Sequence, residues 1–476
     1  MIYKGFEAVI GLEVHVELKT ATKAFCACST AFGAPPNTAV CPVCLGLPGA
    51  LPVLNSRAVE LTVRAGLATH CRIASRTAFD RKNYFYPDLP KGYQITQQAL
   101  PLCTGGYLDI TANGVEKRIG ITRIHLEEDA GKLIHEGELS LLDCNRCGVP
   151  LAEIVSEPDL RSADEAKAYL TALRTALRYA GVSDCRMQEG ALRCDVNLSV
   201  RRVGDTALGT RTEIKNLNSF RFVGRAIECE CKRQVDLLLS GGRVVQETRR
   251  YDAEKDGTFS MREKEGAADY RYFPEPDLMP LAIGADEVAA IAAALPPMPS
   301  ERRARYMAEW GIAAADADIL TADRALADYF EAVAVATPHK KIAASLLLSE
   351  GLRAVSAEDF ATPADAAHLA ELATLLGDEQ INSSTAKKLA GELFAADFSP
   401  RAVINARGLW QENDPDTLAA TVREVLAENP RALADYRAGK RNARTALLGA
   451  AMAKTRGRAN PRILASLLDK ALEESV

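Results

Sequence analysis

Residues 12–18 alternate between apolar and polar side chains, and this alternation restricts the segment to a β-strand. One face of the strand carries only apolar side chains, which are Leu12, Val14, Val16 and Leu18. The opposite face carries Glu13, His15 and Glu17. Two carboxylates and an imidazole suit a divalent cation, although a half-buried strand with a solvated polar face shows the same pattern. The segment therefore predicts a sheet and leaves a metal site open.

Composition and charge limit the class of protein. The chain has 476 residues, 47% of them hydrophobic, which suits a soluble protein of two to four domains. No apolar run approaches the length of a membrane span, and the strand-like N-terminus predicts no signal peptide. All 12 cysteines lie at or before Cys231, which predicts a reduced, cytoplasmic protein with a metal site. The net charge of −5 means that any nucleic-acid contact has to be a local patch.

The first 290 residues or so carry the strand signals. Alternation recurs at about 117–126, 150–156, 191–201 and 210–217, and turn residues between the last two predict a hairpin. Ser162 and Glu165 form a capping box at the start of a helix. We therefore predict an α+β region that is mainly antiparallel.

The rest of the chain is predicted to be all-α. Residues 295–299 are rich in proline and predict a linker, after which the sequence becomes rich in Ala and Leu. Thr362 and Pro363 predict the start of a helix that Gly377 ends, and Asp414 predicts the start of another. We expect a helical domain and a small helical tail domain. The predicted boundaries are 1–292, 293–402 and 403–476.

Two close pairs of cysteines have the spacing of a structural metal site. They are Cys26, Cys28, Cys41 and Cys44. Four thiolates in this CxC and CxxC arrangement are typical of tetrahedral zinc, and the turn-rich segment 33–38 lets the pairs meet. Four unpaired thiols are the alternative. A second CxxC pair, Cys144 and Cys147, has no neighbouring pair and is interpreted as incidental.

Acidic and basic residues recur on the predicted strands. The acids at strand ends are Glu127, Glu128, Asp129, Glu153 and Glu157, and such acids can converge on one cation. Two further strands have polar faces of mixed sign, formed by Arg193, Asp195 and Asn197 and by Arg211, Glu213 and Lys215. A cross-strand ladder of salt bridges and a phosphate-binding floor explain these faces equally well.

Residues 80–88 mix cations with aromatic side chains, among them Lys82 and Tyr84. This mixture predicts contact with a nucleotide or with the 3′ end of an RNA. The sequence has no GxxxxGK[ST] loop and no GxGxxG turn. If the protein uses ATP, it needs a different phosphate cradle.

A basic segment without acidic residues lies near the end of the chain. Its cations are Arg437, Lys440, Arg441, Arg444, Lys454, Arg456, Arg458 and Arg462. A solvated basic face is one interpretation. In a chain of net negative charge, such a patch favours contact with nucleic-acid phosphates.

Several stretches closely resemble the B subunit of the heterotrimeric glutamyl/aspartyl-tRNA amidotransferase. They are residues 9–18, 79–90, 118–132, 154–159, 214–220 and 270–277. The match spans nearly the whole chain and includes all four cysteines of the zinc set, which some members of the family lack. Cys144 and Cys147 look atypical of the family.

The resemblance implies a cradle-like catalytic domain that acts on mischarged tRNA with ATP. The side-chain carboxylate of Glu-tRNA(Gln) and/or Asp-tRNA(Asn) would be phosphorylated, and ammonia would then displace the phosphate. Nothing in the sequence resembles a glutaminase nucleophile set. The family supplies ammonia from an amidase subunit, and a small third subunit completes the heterotrimer.

The resemblance also implies roles for individual residues. The family's metal positions map onto Glu13, His15, Glu128 and Glu153, which implies a catalytic Mg²⁺ site there. We expect ATP or substrate contacts from Lys82, Tyr84, Arg193, Asp195, Arg211, Glu213, Lys215 and Arg249.

Two other functions have to be distinguished from this one. A zinc-stabilised RNA-binding scaffold without catalysis would explain the cysteines and the basic tail, but not the acids at several strand ends. An ATP-dependent ligase for a free amino acid would need no tRNA. The sequence does not choose between Glu-tRNA and Asp-tRNA, because that choice depends on the synthetases of the organism.

Overall fold

The chain forms two compact units, one up to Met298 and one from Pro299. The computed structural model describes residues 2–263, 267–357 and 359–474. The predicted boundaries after residues 292 and 402 stay predictions. No helix in the described ranges combines the length and the apolarity that crossing a membrane requires.

All strands of the described residues lie in the first unit. They are β1 Ile2–Tyr3, β2 Phe6–Glu17, β3 Arg72–Ile73, β4 Arg76–Thr77, β5 Asp80–Asn83, β6 Tyr93–Thr96, β7 Cys103–Ala112, β8 Val115–Glu128, β9 Lys132–Glu136, β10 Leu139–Asp143, β11 Pro150–Ser156, β12 Leu192–Arg202, β13 Thr212–Leu217, β14 Glu247–Asp252, β15 Gly257–Glu263, β16 Phe273–Pro274 and β17 Leu281–Ala282.

Helices occur in both units. Those of the first unit are α1 Ser56–Ala68, α2 Ala163–Tyr179, α3 Phe220–Leu239 and α4 Ala285–Ala293. Those of the second are α5 Pro299–Trp310, α6 Ala314–Leu320, α7 Arg324–Ala336, α8 Lys340–Leu346, α9 Leu352–Ala354, α10 Ala366–Gly377, α11 Ser383–Ala395, α12 Pro400–Arg407, α13 Pro415–Glu428, α14 Pro430–Arg437, α15 Arg441–Lys454 and α16 Pro461–Glu473.

A 10-stranded sheet organises the first unit. Its order is β15-β14-β13-β12-β2-β11-β8-β7-β3, and β1 pairs with β2. Among the described residues its neighbours are antiparallel except β13 and β14, which run parallel. The predicted α+β fold with mainly antiparallel strands is confirmed, and β12 and β13 form the expected antiparallel pair.

The central strand β2 has the two faces that its sequence predicts. Leu12, Val14, Val16 and Leu18 are buried in the apolar core. Helices α1, α2 and α3 pack against the sheet. Glu13, His15 and Glu17 are only half-buried. Burial of one face therefore fixes the register of β2 and leaves its polar face open for a site.

The helix ends show where local signals are sufficient. Ser162 caps α2 by accepting a hydrogen bond from the Glu165 amide at 3.1 Å, as predicted. Asp414 caps α13, also as predicted. The predicted start of α10 at Thr362 is wrong, because the Asp365 side chain accepts from the Ala367 amide and caps the helix there.

The second unit contains two separate apolar clusters. The first joins buried side chains from Tyr306 to Ile404. The second joins buried side chains from Leu418 to Leu472. Separate cores are what two small helical bundles require, which supports the division into a helical domain and a tail.

Candidate active site and metal site

The pairing of β2 with its two neighbours assembles the polar face of the sheet. His15 lies opposite Glu153 on β11 and opposite Arg193 on β12. Glu13 lies opposite Asp195 on β12. Directly opposed residues of antiparallel strands point to the same face. Residues far apart in the sequence are therefore brought together on one surface.

The first cluster on this surface joins an imidazole and two carboxylates. His15 Nε2 lies 3.5 Å from Glu127 Oε1 and 3.4 Å from Glu153 Oε2. His125 Nε2 lies 3.6 Å from Glu153 Oε2. The ligand atoms of His15, Glu127 and Glu153 lie within 4.8 Å of one another. The three side chains are therefore close enough to share one cation.

A second acidic cluster lies beside the first. It joins carboxylate oxygens of Glu13, Asp195 and Glu213 within 4.8 Å of one another. Asn197 Nδ2 donates to Glu13 at 2.8 Å, and Lys215 Nζ donates to Asp195 at 2.8 Å. Glu13 and His15, which were predicted to share a metal, thus belong to neighbouring clusters.

Glu128, a predicted ligand, does not join either cluster. Its carboxylate forms an ion pair with Lys91 and accepts from the Ile95 amide at 3.0 Å. Lys91 in turn packs against Gly46, where a Cβ atom would come within 2.6 Å of Lys91 Cγ. Glu128 therefore anchors β6 and the loop before it, while Glu127 takes the place in the first cluster.

The two clusters border a pocket of about 330 Å³. Its lining includes three cations, Lys82, Arg193 and Lys215. Arg193 Nη2 donates to Asp129 at 2.6 Å, whereas Lys82 Nζ lies 4.9 Å from the centre of the Tyr270 ring. A pocket with acids on its floor and cations on its walls suits a metal-bound polyphosphate.

Other predicted contacts fall in different places. Tyr84 also lines the pocket. Arg211 is exposed just before β13 and is not part of the pocket lining. Arg249 is buried, forms an ion pair with Glu247 and lies 3.2 Å from Glu230. Arg249 therefore belongs to a buried polar network, and its predicted contact with ATP stays a prediction.

Several buried polar atoms at this site have no hydrogen-bond partner among the described protein atoms. They are His125 Nδ1, Arg193 Nε and Asn197 Oδ1. An unsatisfied buried polar atom costs about 1–3 kcal/mol. Arg193 lines the pocket, His125 lies beside Glu153, and Asn197 contacts Glu13, so water, a metal or a ligand at the two clusters would be placed to complete their hydrogen bonding.

The first cluster has an uneven distribution of protons. Burial disfavours the charged form of His15, but Glu153 and Glu127 outweigh it and raise the pKa of His15 to about 9. Burial, together with the charge of Glu153, raises the pKa of Glu127 to about 7. Burial opposes ionisation of Glu153, yet His125 and His15 hold its pKa well below the usual range. A cation that binds here has to displace protons from His15 and Glu127.

This proton competition predicts that the affinity for Mg²⁺ rises with pH. Below about pH 7 both His15 and Glu127 hold protons, and His15 keeps its proton until about pH 9. Each proton released on binding makes the affinity rise by about tenfold per pH unit. Calorimetry in buffers of different ionisation enthalpy measures both the affinity and the number of protons released. A constant affinity from about pH 6 to 9 would contradict the prediction.

The predicted zinc cysteines converge. The sulfur atoms of Cys26, Cys28, Cys41 and Cys44 lie within 4.8 Å of one another. Cys41 Sγ and Cys44 Sγ are 3.9 Å apart. Tetrahedral zinc with Zn–S bonds of about 2.3 Å places its sulfurs about 3.8 Å apart. The four thiols therefore fit a tetrahedral zinc ion.

One of the four thiols is prepared to bind as a thiolate. A hydrogen bond from Cys26 lowers the pKa of Cys44, burial opposes this effect, and the Cys41 amide and the Lys23 ammonium add to it. The result is a pKa of about 4 for Cys44. Burial, together with Cys41 and Cys44, raises the pKa of Cys28 to about 11, although the hydrogen bond with Cys26 opposes this effect. The thiols of this one cluster therefore differ widely in pKa. A bound divalent cation would supply the positive charge that lets all four sulfurs ionise.

Residues 437–462, here called the basic tail, are less uniformly positive in the folded protein than along the sequence. Four of its cations form ion pairs with acids of the second unit that lie outside residues 437–462. The pairs are Lys440 with Asp435, Arg444 with Asp469, Lys454 with Glu424 and Glu428, and Arg462 with Glu379. Arg437, Arg456 and Arg458 are exposed and have no ion pair with a described acid. Among the described side chains of this segment, these three are the most available for phosphate.

Comparison with known proteins identifies the family. A model of the GatB/GatE catalytic domain matches residues 8–289, and a model of the GatB domain matches residues 328–472. The chain belongs to the GatB/GatE family. Three relatives are named as the B subunit of aspartyl/glutamyl-tRNA(Asn/Gln) amidotransferase. They come from Caldicellulosiruptor saccharolyticus (50% identical, 98% of this chain and 99% of the relative), Moorella thermoacetica (51%, 98% and 100%) and Geobacter sulfurreducens (51%, 98% and 100%).

Sequence reasoning counted Glu127 among the acids at strand ends but did not select it as a metal ligand, and it missed His125 and Gln94. Glu127 and His125 share a face of β8, whereas Glu128 continues the face of Ile124 and Leu126. The same alternation that identifies the polar face of β2 also places Glu127 on the polar face of β8. Gln94, which also lines the pocket, has no comparable signal in the sequence.

Proposed function

We propose that this protein is the carboxylate-activating subunit of a tRNA-dependent amidotransferase. Its substrate is Glu-tRNA(Gln), Asp-tRNA(Asn) or both, and its co-substrate is ATP. The observation that carries this proposal is about 50% identity, over nearly the full length of both chains, to proteins named as the B subunit of that enzyme. The pocket of acids and cations on the sheet supports it.

The proposed chemistry has two steps. An oxygen of the side-chain carboxylate attacks the γ-phosphorus of ATP, the bond to the β-phosphate oxygen breaks, and ADP leaves. Ammonia then attacks the acyl carbon, inorganic phosphate leaves, and the amide of Gln-tRNA or Asn-tRNA remains. Activation is needed because a carboxylate is a poor electrophile, whereas an acyl phosphate has a good leaving group. Such an enzyme mainly has to position its substrates and neutralise charge.

In this proposal, residues of the pocket and of the two clusters position the substrates and neutralise charge. Lys82, Arg193 and Lys215 face the developing negative charge of the transferred phosphoryl group. His15, Glu127 and Glu153 hold one Mg²⁺, and Glu13, Asp195 and Glu213 offer a neighbouring set of oxygens. We propose Glu127 in place of Glu128 as the ligand, because only Glu127 reaches the cluster. When bound, Mg²⁺ neutralises phosphate charge and orients the polyphosphate.

The proposal also includes partners and a second metal. Ammonia comes from an amidase subunit, and a small third subunit completes a heterotrimer. Structural zinc occupies the four cysteines, and the tail contributes tRNA affinity. A scaffold without catalysis gains no support, because the relatives are named as amidotransferase subunits.

The decisive experiment uses the complex with its partner subunits. Transfer of ³²P from [γ-³²P]ATP to a tRNA-linked acyl phosphate is measured with Glu-tRNA(Gln), Asp-tRNA(Asn), uncharged tRNA and free glutamate. We expect transfer only with a charged tRNA. Transfer to free glutamate would favour a ligase for amino acids, and tRNA binding without any ATP turnover would favour the scaffold.

The exposed cations of the tail predict where tRNA affinity resides. Arg437→Ala combined with Arg456→Ala should weaken tRNA binding and reduce the slope of log K against log salt by about 2, because each phosphate contact contributes about 0.9. The matched control is Arg444→Ala, whose side chain is already paired with Asp469. Binding is measured by fluorescence anisotropy at several salt concentrations. If Arg444→Ala lost as much tRNA affinity as the double variant, the exposed cations would not be the ones that contact phosphate.

A further inference from the structure

Lys23 places a buried ammonium group next to the four cysteines. The residue is fully buried, with 0% of its surface exposed. Its Nζ atom donates to Ala39 O at 2.8 Å, to Cys144 O at 3.3 Å and to Cys44 Sγ at 3.4 Å. Three acceptors account for all three N–H bonds of the ammonium group.

This ammonium group has no carboxylate as a direct partner. Within the described residues, no acidic side chain forms an ion pair with Lys23. Removing an ammonium ion from water costs several kcal/mol unless an opposite charge compensates it. Cys44 carries the only one of the three acceptor atoms that can become an anion. Among the groups that accept a hydrogen bond from Lys23, the cysteine cluster is therefore the one that can balance its charge.

A four-thiolate zinc site supplies that negative charge. Four thiolates around one Zn²⁺ leave two negative charges in excess. Outer-shell hydrogen bonds and nearby cations stabilise such ligands and tune the affinity for the metal. Lys23 offers a hydrogen bond and a positive charge to the same sulfur, from a position that water does not reach.

The turn that contains the second CxxC pair lies next to this ammonium group. Cys147 N donates to Cys144 O at 3.0 Å, and Gly148 O accepts from Ala24 N at 2.8 Å, next to Lys23. The turn from Cys144 to Gly148 thus presents a carbonyl oxygen to Lys23. The backbone of this turn, and not its thiols, contributes to the neighbouring site.

We propose that Lys23 is a positioning residue that retains zinc in the four-cysteine site by compensating its negative charge. This inference rests on the proposed zinc site. It adds a residue outside the set of metal ligands. It also gives the turn of Cys144 and Cys147 a role, because the backbone of this turn accepts a hydrogen bond from the ammonium group.

Two substitutions separate the charge of Lys23 from its packing. Lys23→Met keeps an apolar stem of similar length and removes the charge, whereas Lys23→Gln keeps an N–H donor without the charge. Lys19→Met is the matched control, since Lys19 is exposed and pairs with Asp184 at 2.8 Å. If Lys23→Met does not fold, Lys23→Gln carries the same measurement.

The measurement is competition for zinc between the full-length protein and a chromophoric chelator, with total zinc determined by elemental analysis. Both Lys23 variants should bind zinc about 10–100-fold more weakly than the wild type, and Lys19→Met should match the wild type. The difference in melting temperature between zinc-loaded and chelated protein should shrink in the same two variants. A loss of packing alone would lower both melting temperatures and leave the zinc affinity unchanged.

The outcomes distinguish this inference from the zinc site itself. Wild-type protein that contains no zinc when purified without chelators would overturn both. Zinc-loaded wild type together with Lys23 variants of unchanged affinity would overturn only the role of Lys23. Weaker zinc binding in Lys19→Met to the same extent would also overturn it, because the effect would then not depend on the buried position.

Discussion

Glu127→Gln is expected to reduce carboxylate phosphorylation on the order of 10²–10³-fold while the fold stays intact. The substitution keeps the shape of the side chain and removes one anionic oxygen from the cluster with His15 and Glu153. A hard cation depends on such oxygens, and removing one group that stabilises a charged transition state typically has an effect of this size. The complex with its partner subunits is assayed for transfer of the γ-phosphoryl group to charged tRNA.

The controls for this experiment come from the same strand. Glu116→Gln changes an exposed carboxylate at the start of β8 and should have no effect on phosphorylation. Glu128→Gln tests the predicted ligand, which pairs with Lys91. Binding of Mn²⁺, followed by electron paramagnetic resonance, should be lost in Glu127→Gln and retained in Glu128→Gln. The reverse result would show that Glu128 is the ligand and that its pairing with Lys91 does not persist when metal binds.

The polar face of β2 could be predicted because its cause is local. Alternation of side chains fixes two faces, and the burial of Val14 and Val16 decides which face is turned toward the core. The cap at Ser162 is local in the same sense, since its hydrogen bond from the Glu165 amide lies within one turn of helix. Signals of this kind need no knowledge of the partner strands.

The composition of the two acidic clusters could not be predicted in this way. Glu213 joins Glu13 and Asp195 because β12 lies between β2 and β13, and the register of β12 with β13 shifts next to this cluster, between Cys194 and Val196. These pairings join segments up to 200 residues apart. Neither the order of the strands nor a one-residue shift in register leaves a signal in the sequence of a single strand.

The tail shows a different limit of sequence reasoning. The segment has no acidic residue in its sequence, but acids from other helices lie next to it in the folded protein. Arg444 of α15 pairs with Asp469 of α16, and Lys454 of α15 pairs with Glu424 of α13. An exposed ion pair of this kind contributes little to stability. A paired cation has to leave its partner before it can contact phosphate.

The predicted ATP contact of Arg249 stays a prediction, because this residue lies in a buried polar network. Arg249 looks like a phosphate ligand in the sequence, yet its guanidinium donates to Thr258 O at 2.7 Å and pairs with buried acids. Burial of a charged residue requires such partners. An arginine on a strand is therefore ambiguous until the neighbours that satisfy it are known.

Cys44→Ser is expected to remove the zinc and to lower the melting temperature of the protein on the order of 10 °C. Zinc at about 1,000 times its dissociation constant stabilises a folded protein by about 4 kcal/mol, and for 150–250 residues each kcal/mol corresponds to about 2–4 °C. Cys44 should be the most sensitive ligand, because it is buried and receives hydrogen bonds from the Cys41 amide at 3.2 Å and from Lys23. Elemental analysis and thermal unfolding of the full chain measure both effects.

Two other cysteines make this experiment specific. Cys229→Ser changes a half-buried thiol on α3, outside the four-cysteine site, and should change neither the zinc content nor the melting temperature by much. Cys147→Ser should keep the zinc, because Cys147 shares no cation site with the four clustered sulfurs. Chelation should reproduce the loss of stability in wild-type protein and have no further effect on Cys44→Ser, since the mutant no longer holds the metal. If Cys147→Ser lost the zinc and Cys44→Ser retained it, the ligands would have to include the second CxxC pair, and the loop from Cys26 to Cys44 would owe its structure to packing alone.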